Sequence, residues 1–202
     1  MPPISPKDLL QKNDEDLVKL TLENQELYLY LMRRYEPKLL RYILRISNVS
    51  EAEAEDVLQD VFIKAFQHLN EFDPDLKFSS WIYRITRNQV ISNYRKIKAR
   101  PQTVELIEEA GTGVEKLLSD LDIEEALNNH ELALEVEKVL TAMDQKYKEV
   151  LVLKYLEDKS YQEISDILKK PLGTVATLLN RAKQAFKKQA TVQGVNFALV
   201  EA

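Results

Sequence analysis

The stretch Ser160–Lys183, SYQEISDILKKPLGTVATLLNRAK, decides the fold. Ser160 and Glu163 stand three residues apart, the spacing of a capping box that opens a helix. That helix runs to Leu168. A turn containing Pro171 and Gly173 breaks it, and Thr174 is placed to N-cap a second helix. Helix, short turn, helix is the helix-turn-helix plan, whose second helix enters the major groove of DNA. It is equally the plan of a simple αα-hairpin, and this segment alone does not separate the two.

The rest of the chain keeps the helical habit. The glycines stand at 111, 113, 173 and 194, so residues 1–110 contain none, and the prolines stand at 2, 3, 6, 37, 74, 101 and 171. Long glycine-free stretches rich in Leu, Glu, Lys, Ala and Arg favour helix, and no Asn-Gly hairpin signal interrupts them. The expected fold is all-α: two helical domains joined by an acidic linker, the C-terminal one containing the helix-turn-helix. The expected boundaries are an N-terminal extension over 1–24, a first domain over 25–100, the linker over 101–130, a second domain over 131–190 and a tail over 191–202. No internal repeat of solenoid period is present.

Charge is distributed in blocks. The 202 residues carry a formal net charge of -5, yet residues 26–100 hold 13 basic and 10 acidic side chains, and residues 138–190 hold 11 and 6. Between them, residues 101–137 hold 1 basic and 11 acidic side chains. Two basic blocks flanking one acidic connector suggest polyanion-binding modules joined by a segment with a different task, although charge runs are also common on ordinary solvated faces. The 45% hydrophobic content suffices for packed cores, and the absence of cysteine excludes a disulfide scaffold or a Cys-ligated zinc. The N-terminus lacks the apolar core of a signal peptide, and no apolar run approaches a membrane span, so membrane insertion is not expected and a cytoplasmic location is.

Two further stretches carry functional information. Over Glu55–Leu69, the residues Val57, Leu58, Val61, Phe62, Ala65, Phe66 and Leu69 repeat as one face of an amphipathic helix, while Asp56, Gln59 and Asp60 occupy the other. The segment from Lys77 to Arg100 contains seven Lys or Arg and no Asp or Glu. On a helix starting near Ser79, Arg84, Arg87, Arg95 and Lys98 fall within about 80° of one another, a stripe suited to a phosphate backbone. Asn88 lies beside that stripe, and Trp81, Ile82 and Ile85 point to a core face. Upstream is the Pro-broken loop Phe72-Asp73-Pro74-Asp75-Leu76-Lys77-Phe78. Basic residues interleaved with aromatics suit unpaired nucleic acid, whose bases stack on rings while cations hold phosphates. Plain core packing is the competing account of Phe78 and Trp81.

In this order the segments resemble the two-domain bacterial RNA polymerase sigma factors of the extracytoplasmic-function (ECF) class, over about residues 25–190. The family's acidic Asp-x-x-Gln-acid-x-Phe motif reads here Asp56, Gln59, Asp60 and Phe62. Its Phe-x-x-Trp-Leu-Tyr-Arg-Ile-Ala-x-Asn-like string reads Phe78, Trp81, Ile82, Tyr83, Arg84, Ile85, Thr86 and Asn88. Its Pro-Val-Gly-Thr-Val string reads Pro171, Leu172, Gly173, Thr174 and Val175, followed by Arg181, Ala182 and Lys183. The resemblance implies that 25–100 is a sigma region 2-like domain and 131–190 a region 4-like domain. It implies core RNA polymerase as a partner, through the β′ clamp helices at Asp56, Gln59, Asp60 and Phe62 and through the β flap. It implies contact with the minus-ten element by Phe72, Asp73, Lys77, Phe78, Trp81, Tyr83, Arg84, Arg87, Asn88, Arg95 and Lys98. Contact with the minus-thirty-five element falls to Thr174, Ala176, Thr177, Asn180, Arg181 and Lys183, and an anti-sigma factor is a further expected partner. The sequence departs from the family pattern at Ala176 and Leu178, where cations are common, at Lys169, where glycine is common, and at Ser92, where aspartate is common.

Two other function classes are weighed against this one. A stand-alone helix-turn-helix regulator of transcription gives Asp56, Gln59 and Asp60 no task. An enzyme lacks a constellation to work with: the histidines are His68 and His130, and no Cys nucleophile, His-x-Glu pair or glycine-rich phosphate cradle is present. No catalytic residue, metal or cofactor is therefore expected.

Overall fold

The structure, a computed structural model, describes residues 6–97, 117 and 130–195. Every regular element among the described residues is helical. They fall into two compact units, one drawn from residues 1–43 and 49–103 and the other from 44–48 and 104–202. Most of the acidic linker and the tail beyond residue 195 lie outside the described residues.

In the first unit α1 (Pro6–Gln11) leads to α2 (Asp14–Glu23), α3 (Tyr28–Ile46), α4 (Glu51–Gln67) and α5 (Phe78–Ile97). Each start has a local cause. Asn13 caps α2, its Oδ1 accepting the Asp16 N–H at 2.7 Å, and Asp14, Glu15 and Asp16 fill the first turn, where the helix dipole favours acids. Ser50 and Glu53 form a complete capping box ahead of α4. Along α4 the residues Ala54, Val57, Leu58, Val61, Phe62 and Ala65 are buried, and α4 packs on α5 through that face. Phe66, expected on the same face, is exposed, and Leu69 is buried one turn later in a 3₁₀ segment. Leu17, Leu31, Leu39, Ile43 and Ile82 complete the core, each worth about 1.5–3 kcal/mol of transfer free energy when fully buried.

In the second unit α6 (His130–Thr141) and α7 (Gln145–Leu151) precede a π-helical turn over Val152–Leu156. The helix-turn-helix follows as α8 (Tyr161–Leu168) and α9 (Leu172–Val192). The Ser160–Glu163 capping box forms as the spacing implies. The turn differs from expectation in two ways. Its left-handed residue is Lys169, at φ 50°, whereas Gly173 lies in the first turn of α9 with open space around it. Thr174 is not an N-cap either. Pro171 takes that position, and its carbonyl accepts the N–H groups of Thr174 at 2.8 Å and Val175 at 3.1 Å. Proline's fixed φ already suits the entry to a helix, so α9 begins before the threonine is reached. Val175, Leu179, Ala182, Phe186 and Ala190 then bury one stripe of α9.

Candidate nucleic-acid and polymerase interfaces

On α4, Asp56, Gln59 and Asp60 are exposed on the side away from the core. Phe62, expected with them, is largely buried at 7% exposed and reaches the surface only where, with Gln59, it lines a groove on α4. Its carbonyl accepts the Tyr28 hydroxyl at 2.9 Å, and burial pushes that phenol's pKa well up, so Tyr28 stays a donor. Asp60 is held from a direction the sequence did not reveal. The amide of Gln89, a buried residue of α5, donates to Asp60 Oδ2 at 2.7 Å, and the same amide's oxygen accepts from Lys64 Nζ. Asp60 and Lys64 are an i,i+4 pair that could close on itself; Gln89 instead stands between them. A groove of about 850 Å³ runs between α3 and α4, floored by Leu29, Met32, Ile63 and Phe66, edged by Glu26 and Glu55, and lined also by Gln59 and Phe62.

The second candidate surface is α5 and the loop before it. Arg84 and Arg87 are half-buried, and Asn88 and Arg95 are exposed. Lys98 lies outside the described residues. In the loop, the Asp73 side chain accepts the Asp75 N–H and its carbonyl accepts the Leu76 N–H, both at 3.0 Å, which makes a tight turn with Asp73 and Lys77 exposed. The loop is anchored at both ends in an aromatic box. The Phe72 ring lies 5.6 Å from Phe78 and 5.7 Å from Trp81, and Phe78 lies 5.5 Å from Trp81 and 5.4 Å from Tyr35. All four rings are buried, so core packing accounts for Phe72, Phe78 and Trp81. Tyr83 is 1% exposed and packs 4.9 Å from the Tyr42 ring, which removes it from the outer face on which Arg84 lies.

On α9, Thr174, Thr177, Asn180 and Arg181 are exposed, and Ala176, Leu178 and Lys183 are half-buried. The Thr177 hydroxyl donates to the Gly173 carbonyl at 2.9 Å. Among the described residues no group of His, Asp and Glu is arranged to hold a metal ion, and no helix is long and apolar enough to cross a membrane.

These three surfaces coincide with two matched family regions. Residues 31–100 match Sigma-70 region 2, and residues 133–186 match Sigma-70, region 4. The ECF RNA polymerase sigma factor SigW of Bacillus subtilis (strain 168) is 34% identical over 172 residues, covering 82% of this chain and 90% of that protein. This chain belongs to the ECF sigma factors. The RNA polymerase sigma-H factor of Pseudomonas aeruginosa is 29% identical, over 89% of this chain and 95% of its own length. Among solved structures, CnrH in complex with the cytosolic domain of CnrY superposes with a TM-score of 0.65 at 25% identity, over 91% of this chain and 99% of that one. The sigma factor RpoE of Bartonella quintana, solved with the anti-sigma factor NepR, shares the fold at a TM-score of 0.61 and 18% identity, over 85% of this chain and 98% of that one. As an ECF sigma factor the chain binds core RNA polymerase, directs it to promoters and helps open the minus-ten element. A stand-alone regulator leaves the region 2 match without a purpose.

Proposed function

We propose a division of that task among three surfaces. The exposed row Asp56, Gln59 and Asp60 on α4 receives the β′ clamp helices of core polymerase, with the neighbouring apolar groove taking aliphatic side chains of the same partner and Phe62 supporting the row from within. Acids rimming an apolar groove suit a helix that carries both apolar anchors and cations. Arg84, Arg87, Asn88, Arg95 and Lys98, with Asp73 and Lys77 of the loop, hold the melted minus-ten strand. Phe72, Phe78 and Trp81 form the bed of that loop rather than its outer surface. Thr174, Ala176, Thr177, Asn180, Arg181 and Lys183 read the minus-thirty-five element, while the second unit meets the β flap. The acidic linker, repelled by DNA, serves the polymerase. An anti-sigma factor restrains the protein, and its work is in the cytoplasm and is not enzymatic.

The observation that carries this reading is the joint exposure of Asp56, Gln59 and Asp60 on α4, with Gln59 also lining the apolar groove. Reversing one charge tests it. Asp60→Lys is expected to weaken binding to core polymerase by more than tenfold with circular dichroism unchanged, since it places a cation where a cation is to be received. Unchanged affinity with intact helicity overturns the assignment.

A further inference from the structure

The first turn of α2 lies upstream of the residues matched to Sigma-70 region 2, yet it is bound into the loop before α5. Glu15 Oε1 accepts the backbone N–H of Phe78 at 2.9 Å, across 63 positions of sequence. Phe78 is the first residue of α5, so its N–H is one of the four that a helix start leaves without an intrahelical acceptor. A carboxylate there also meets the positive end of the helix dipole. The adjacent Asp14 holds another wall of the same box. The Tyr35 hydroxyl donates to Asp14 Oδ2, and Arg34 Nη1 reaches Asp14 Oδ1 at 2.5 Å and the Lys12 carbonyl at 2.9 Å. Burial first, and then the Asp14 charge, push the Tyr35 phenol far up, which keeps its proton on the shared bond. Leu17, Val18 and Thr21 are buried beneath, so the turn that presents both acids is seated on the first unit.

The loop Asp73–Lys77, exposed at every residue but the half-buried Leu76, hangs between two buried rings, Phe72 and Phe78. Its shape depends on how firmly its exit is fixed. Tyr35 packs edge-on against Phe78, and Glu15 fixes the Phe78 backbone. We propose that Glu15 and Asp14 are positioning residues for promoter opening: they clasp the exit of the Phe72–Phe78 loop and the start of α5, so that the loop meets unpaired minus-ten DNA already ordered. This rests on the loop being the minus-ten contact proposed above. An ordered loop gives up little conformational entropy on binding, and a loosened one gives up more. Neither acid needs to touch DNA, and both are only partly exposed.

The test reconstitutes holoenzyme from core polymerase and the full chain. It uses a promoter selected by the wild-type holoenzyme from a random library, and a fork template of that promoter whose minus-ten strand is unpaired. Glu15→Ala is expected to lower fork-template affinity about tenfold, with core affinity changed less than twofold. Glu15→Gln keeps a carbonyl acceptor for the Phe78 N–H and is expected to recover most of that loss, as a charge contact to DNA or polymerase would not. Unchanged fork affinity in Glu15→Ala overturns the proposal, as does a fall in core affinity that tracks it, the mark of general unfolding. Lys77→Ala in parallel separates the two readings. If it leaves fork binding intact, the minus-ten assignment of the loop fails; if it weakens fork binding while Glu15→Ala does not, only the clasp fails.

Discussion

Lys148 shows how one side chain can set a pH dependence. The residue is 3% exposed within the second unit, its ammonium donating to Asn48 Oδ1 at 3.1 Å, and desolvation pulls its pKa from 10.5 down to about 8. Below pH 8 folded and unfolded chains both hold the proton, and the fold bears the full desolvation cost, about 3 kcal/mol at 1.36 kcal/mol per pKa unit. Between about pH 8 and 10.5 the unfolded chain still binds the proton while the fold has released it, so stability rises with pH across that window. Denaturant titrations at pH 7.5 and pH 10, compared with Lys148→Met, are expected to show this as a difference. The variant is more stable at pH 7.5 by about 1–3 kcal/mol, and the advantage shrinks at pH 10. A constant difference would mean that the ammonium is solvated in the fold. Neither the burial nor the shift was legible in the sequence, where Lys148 is one lysine among several near Tyr147, because only tertiary packing removes its water.

At the scale of elements, the turn between α8 and α9 carries its backbone preferences at the wrong positions. Lys169 occupies the left-handed region at φ 50° and ψ 50°, where a side chain costs about 1 kcal/mol and glycine costs little. Gly173 sits in the first turn of α9 with nothing within 4 Å of a β-carbon, where glycine is the poorer choice. Lys169→Gly and Gly173→Ala are each expected to stabilise the second unit by about 0.5–1 kcal/mol, read from thermal unfolding. A loss of stability at either position would contradict the turn geometry. The same turn marks what sequence can convey. The Ser160–Glu163 box was readable because its two bonds are local, and Leu168 as the helix end was readable from the break that follows. Thr174 was misplaced because a hydroxyl beside glycine looks like a cap, while Pro171 three residues earlier had already started the helix. The amphipathic register of α4 was legible by periodicity, with Phe66 the exception. The clasp of Asp14 and Glu15 was not, since an acidic first turn reads as an ordinary response to the helix dipole. Gln89 was hidden likewise: an amide in a basic helix gives no sign that a carboxylate from α4 lies 2.7 Å away.

For the whole molecule, the two surfaces proposed to read DNA are unequal, and that inequality predicts how the holoenzyme depends on its promoter. On α9, Ala176 and Leu178 are half-buried and apolar, and Thr177 spends its hydroxyl proton on the Gly173 carbonyl, leaving Thr174, Asn180 and Arg181 as the exposed polar groups of the early helix. A good bidentate base contact is worth about 1–3 kcal/mol of discrimination, so losing cations from two positions weakens reading without abolishing it. The minus-ten surface is better equipped: Arg84, Arg87, Asn88 and Arg95 line α5, and the preceding loop is fixed at Phe72 and Phe78 by the aromatic box and by Glu15. In the proposed reading this surface holds bases that melting exposes and duplex DNA does not offer, so binding energy there goes into opening the promoter rather than into first contact. Scrambling the minus-ten element of a cognate promoter should therefore lower initiation by the reconstituted holoenzyme more than scrambling the minus-thirty-five element, by tenfold or more if one to two base contacts differ. Initiation assays on the two scrambled promoters decide it. A larger loss from the upstream element would show that Ala176 and Leu178 make apolar contacts, with thymine methyl groups as the natural partner, that outweigh the cations they replace.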